Sequence, residues 1–191
     1  FSGNENDEIG DDTYRSGGNT YNYSQVVRDL TSVTGNVQSL KNTVNGLSAD
    51  GSTQTDFGLN QAQRVLDGDR QYGLGGAREE AKQVVVVFTD GEPSTFSNWS
   101  DDVAANAVNL AKELKDDKVA VYTIGMFEGA DPNDIEGNFN KYMNGVSSNY
   151  PNATATNRFG QANWSSCDLG DRVTEGNYYF AAANAGELED A

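Results

Sequence analysis

The sequence predicts an α/β fold: a doubly wound, three-layer domain around a mostly parallel central sheet. Two observations carry that expectation. Val84-Val85-Val86-Val87 and Val119-Ala120-Val121-Tyr122-Thr123-Ile124 are apolar, β-branched runs without alternation, the pattern of strands covered on both faces. Around them apolar residues recur three and four apart, as they do on helices with one buried stripe. Strands and helices in that order build parallel sheets with right-handed crossovers. At 191 residues the chain fits one domain, 1–191.

Each element has its own signal. Residues 3–22 are polar and acidic and read as a loop or long insertion; the acidic run from Glu5 to Asp12 fails the EF-hand spacing, because a register that places Gly10 correctly puts Ile9 on a ligand position. Val26-Val27 reads as a short strand. Val37, Leu40, Val44 and Leu47 mark a helix over 35–47, and Leu59, Ala62 and Leu66 a second over 55–67, stopped by Gly68. The valine run gives a strand over 83–88. Val103, Ala104, Ala107, Val108, Ala111 and Leu114 give a helix over 101–115, followed by a strand over 119–126. Asp131-Pro132 supplies a cap and first-turn proline for a helix carrying Ile135, Phe139, Tyr142, Met143 and Val146. Residues 150–177 read as an irregular surface excursion, 178–182 as a last strand and 184–188 as the opening of a helix.

Composition removes several classes of function. Thirteen Lys and Arg against 29 Asp and Glu leave a net charge of −16, which repels nucleic acid and anionic lipid. There is no His, so imidazole ligands and Ser-His-Asp catalysis are excluded. Cys167 is the single cysteine, with no His to activate it and no partner for a disulfide. No run reaches transmembrane length, so direct membrane insertion is not expected. Gly73-Leu74-Gly75-Gly76-Ala77-Arg78 follows no strand and lacks the third glycine of a dinucleotide loop. Trp99 and Trp164 read as loop anchors.

In open α/β sheets ligands bind beyond the carboxyl ends of the strands, which points to Asp90 in Thr89-Asp90-Gly91-Glu92. A carboxylate leaving a buried apolar strand needs a cation or several donors, and equally can cap a helix or satisfy loop amides. An oxygen-only site without His or paired thiolates suits a hard divalent ion, Mg²⁺ first, with Mn²⁺ or Ca²⁺ as alternatives.

Gly51-Ser52-Thr53-Gln54-Thr55-Asp56-Phe57-Gly58-Leu59 leading into a helix, together with the strand-Thr89-Asp90-Gly91 turn, resembles the von Willebrand factor A-type (vWA) family. The resemblance implies a Rossmann-like vWA fold with a metal-ion-dependent adhesion site. It further implies Thr53 as a metal ligand through its hydroxyl, Asp90 as a carboxylate ligand, and a remaining position filled by an acidic side chain of a protein partner. Thr55 and Asp56 suit the helix start, while Glu92 and Ser94 border the metal face. The family's first motif, Asp-x-Ser-x-Ser, has no counterpart here, so the resemblance implies a partial domain lacking its first strand and the end of its last helix.

The expected function is a non-enzymatic, metal-dependent adhesion or protein-binding module. The acidic, Asn- and Gly-rich, cysteine-poor loops resemble vWA domains of Gram-positive surface and pilus-tip proteins, implying an extracellular place on a bacterial cell. Two alternatives stand beside it: a structural assembly domain with a degenerate metal site, and a metal-dependent hydrolase using Asp90.

Overall fold

The computed structural model describes residues 2–3, 13–16, 18–22, 24–47, 52–70, 73–95 and 98–182. Its centre is a parallel sheet of β5 (Val84–Thr89), β8 (Ala120–Gly125) and β11 (Tyr179–Ala181), in the order β11-β8-β5. β5 runs beside β8 from Val84↔Ala120 to Thr89↔Gly125, and β11 joins the other edge from Tyr179↔Thr123 to Ala181↔Gly125. The α/β class and parallel centre are as the sequence predicts.

The helix α3 (Asp101–Asp116) lies between β5 and β8 in the chain and forms the heart of the core. Its start is written locally: the Ser100 hydroxyl accepts from Val103 N at 3.3 Å, and Asp101 and Asp102 in the first turn complement the helix dipole. Ala104, Ala105, Ala107, Val108 and Ala111 are fully buried, and these small side chains let α2 (Thr55–Asp67), α4 (Asn138–Val146) and the sheet approach closely. Gly68 ends α2 in the left-handed region at φ 80°, and a Cβ there would lie 3.0 Å from Gly76 Cα. At the far end of α3, Lys115 is buried, and its ammonium donates to the carbonyls of Gly145 (2.8 Å), Ser147 (3.2 Å) and Tyr150 (3.0 Å).

Several expectations are corrected. The two-sided burial expected of β5 is not met among the described residues: Val87 is 4% exposed on the face toward α3, while Val84, Val86 and Phe88 on the other face are 50%, 57% and 47% exposed. Tyr122 shares that outer face and stacks with Phe180 at 6.2 Å. The first helix forms as α1 (Val37–Asn45), yet it has no buried residue and leaves Val37 and Val44 open to solvent. Val26-Val27 is not a strand.

Ser2–Gly3 form β1, and the stretch 3–22, expected as loop, contains a hairpin of β2 (Thr13–Ser16) with β3 (Asn19–Asn22). The fourth helix begins at Asn138 rather than at Asp131-Pro132, because Asp131 turns its carboxylate onto Asn133 N (2.8 Å) and Asp134 onto Glu136 N and Gly137 N (2.9 and 3.0 Å). Within 150–177, expected as surface excursion, β9 (Thr154–Thr156) and β10 (Ala162–Asp168) pair antiparallel and bury Ala153, Ala155, Trp164, Cys167 and Leu169 against α3. The helix expected at 184–188 and the acidic run from Glu5 to Asp12 lie outside the described residues.

Candidate functional site

β5 ends at Thr89, whose side chain alternates inward with Val87 and is 7% exposed. Its hydroxyl donates to Gly91 O at 2.8 Å and accepts from Gly91 N at 3.2 Å, so one side chain closes the turn that follows the strand. That turn sends Asp90 outward. The expectation of a buried carboxylate is corrected here: Asp90 is exposed, because it lies beyond the last residue paired with β8. It therefore has no desolvation penalty to offset and is free to meet a ligand from solvent. Met126 N donates to Thr89 O at 2.9 Å and seats the β8–α4 connection against the same strand end.

Thr53 arrives from a different direction. It lies in β4 (Ser52–Thr53), half-buried, opposite Ser2 in an antiparallel pair with β1. Its amide donates to Ser94 Oγ at 3.1 Å. A Cβ added to Gly91 would lie 3.2 Å from Thr53 Oγ1, so the threonine hydroxyl stands against the backbone of the residue next to Asp90. The structure thus brings the two loops singled out in the sequence into contact, and glycine at 91 is what permits the approach.

Behind Thr53, α2 starts as expected with Thr55 and Asp56, both buried. The Asp56 carboxylate accepts from Phe57 N at 3.0 Å and from Asn106 Nδ2 of α3 at 3.5 Å, which makes it a helix-start group turned inward. Burial raises the phenol of Tyr142 well above its ordinary range; the Thr55 hydroxyl opposes that shift and the Asp56 charge adds to it. Glu92 is exposed on the rim.

Ser94 opens β6 (Ser94–Thr95), which turns back as β7 (Asn98–Trp99) with Ser94 opposite Trp99. Trp99 lies 5.3 Å from Trp164 and meets Tyr142 edge-on at 6.2 Å, so both tryptophans are anchors, as the sequence suggests. The roles of Thr89 and of the Ser94 hydroxyl as an acceptor were not read from the sequence. Thr89 was within reach, since strand alternation from Val87 turns it inward; the Ser94 contact spans 41 residues and leaves no local signal.

Thr53 and Asp90 offer hydroxyl and carboxylate oxygens, the donor chemistry of a hard divalent ion. Two such donors are fewer than a hexacoordinate ion needs, and among the described residues no group of three His, Cys, Asp or Glu is placed to hold a metal. The donor set fits such an ion in kind but not in number.

A family model described as the von Willebrand factor type A domain matches residues 4–166. Among solved structures, the crystal structure of manganese-loaded Plasmodium vivax TRAP protein is similar at 22% identity and a TM-score of 0.47, over 88% of this chain and 50% of that one. The chain spans about half the length of that protein. A comparison with curated proteins gives no match.

Proposed function

We propose, because this chain belongs to the von Willebrand factor type A family whose model covers residues 4–166, that it is a non-enzymatic protein-binding module working through a divalent cation held by Thr53 and Asp90. The observation that carries the reading is the position of Thr53 Oγ1, 3.2 Å from where a Gly91 Cβ would lie, beside the exposed Asp90. A bound cation would supply an electrostatic bridge to an acidic side chain of the partner. The chain's own residues do the rest. Thr89 fixes the turn, Gly91 admits the threonine hydroxyl, and Asp90 presents its carboxylate outward.

Mg²⁺ is the ion we favour, with Mn²⁺ and Ca²⁺ as alternatives, since each takes oxygen donors. The partner is a protein rather than nucleic acid, because a net charge of −16 repels phosphates. Among the described residues no helix is long and apolar enough to cross a membrane. We place the module outside a bacterial cell, on a surface or pilus protein, because its acidic, Asn- and Gly-rich, cysteine-poor loops resemble those of vWA domains from Gram-positive surface and pilus-tip proteins.

Calorimetric titration of the full-length protein with Mn²⁺ and Mg²⁺ tests the reading. We expect saturable binding that weakens at least about tenfold in Asp90→Ala and in Thr53→Ala, as loss of one of few hard ligands implies. Absence of binding to the parent protein, or binding unchanged in both variants, would overturn it.

A further inference from the structure

We infer that Ser94 is a positioning residue for the Thr53 corner of the site, and that the β6–β7 hairpin is the strut through which it acts. The inference deepens the reading above and rests on Thr53 being a ligand, but its test does not depend on that.

An amide has one proton to give, and Thr53 gives its own to Ser94 Oγ, 3.1 Å away. On its side-chain side the same threonine is flanked by Gly91, with 3.2 Å between its hydroxyl and the place a Gly91 Cβ would take. Gly91 and Ser94 belong to one short connection, residues 90–94, which begins with Asp90. That connection therefore fixes both proposed donors: it carries the carboxylate and grips the threonine by its main chain.

The grip holds only if Ser94 is itself held, and four contacts of its neighbours do so. Ser100 N donates to Pro93 O at 2.9 Å and closes the base of the hairpin. Opposite Ser94, Trp99 packs on Trp164 of β10 and Tyr142 of α4. The Trp99 indole donates to Asp101 Oδ1 at 2.6 Å, in the first turn of α3. A rigid aromatic anchor on the core thus ends in a hydroxyl at the site, the arrangement by which outer residues orient metal ligands.

The test compares Ser94→Ala with Ser94→Thr in the full-length protein. Without added metal, exchange of the Thr53 amide with deuterated solvent should quicken about tenfold in Ser94→Ala and return toward the parent rate in Ser94→Thr, which restores the acceptor. With Mn²⁺ as probe, Ser94→Ala should lose about five- to tenfold in affinity at unchanged stoichiometry and nearly unchanged melting temperature, again recovered by Ser94→Thr. Thr53 amide exchange unchanged by Ser94→Ala would overturn the inference, as would failure of threonine to restore it. A parent protein that binds no Mn²⁺ would defeat the proposed function instead, while the amide measurement would still decide the role of Ser94.

Discussion

A methyl group on Gly91 would press against Thr53 Oγ1 at 3.2 Å, closer than an ordinary contact, so Gly91→Ala should push the hydroxyl aside while leaving the fold intact. We expect about a tenfold weaker Mn²⁺ isotherm and a melting temperature within a few degrees of the parent. Lys115 gives a pH signature. Burial, reinforced by Lys112, lowers its pKa from 10.5 to about 7, with Asp116 and Cys167 opposing. A lysine depressed in the folded state means that the unfolded chain binds more protons between those values, so unfolding free energy should rise with pH from about 7 to about 9, above which the raised thiol pKa of Cys167 opposes the slope. Urea titrations across that window should show the slope, and Lys115→Met should flatten it. Were the two slopes equal, the three-carbonyl cage would be holding the ammonium charged throughout.

Helices were the elements most legible in the sequence. α2 occupies the span its apolar spacing and Gly68 announce, and α3 runs one residue past the span its apolar stripe announces. Each boundary was set by chemistry within a few residues, which is why it could be read. Ser100→Ala should cost about 1 kcal/mol, and Gly68→Ala more, because it combines a left-handed φ with a Cβ 3.0 Å from Gly76; thermal unfolding checks both. The β9–β10 pair was missed because it has little local pattern: its inward residues Ala155, Trp164 and Cys167 fall at irregular intervals around a register shift, and Asn109 of α3 ties Ala155 by bonds of 2.8 and 3.1 Å spanning 46 residues. For the site, the Thr53 and Asp90 motifs were readable, but the sequence had Asp90 buried because an apolar strand precedes it. What turns the carboxylate outward is the Thr89–Gly91 hydrogen-bond pair, a matter of geometry rather than composition.

At the scale of the molecule the sheet has two unlike faces. The sequence records β5 as apolar on both, and the described residues cover only the face toward α3, since an apolar run says that cover is required without saying which element gives it. Two substitutions one residue apart should separate the faces: Val87→Ala should lower stability by roughly 2 kcal/mol, whereas Val86→Thr should leave it nearly unchanged and reduce binding of an apolar dye to the 191-residue chain. The charge of −16 adds self-repulsion, so the melting temperature should rise with added sodium chloride. The core also contains its own clock. Cys167 lies on β10 with its side chain buried in the core, and burial pushes its thiol up to about 11, so a maleimide or iodoacetamide in neutral buffer finds almost no thiolate while the β9–β10 pair stays closed. Because the chain has one cysteine, every labelled molecule records one opening event at one place. Labelling rates with and without Mn²⁺ would then tell whether filling a site near Asp90 tightens the β9–β10 pair, which meets the β6–β7 hairpin through Trp164 and Trp99.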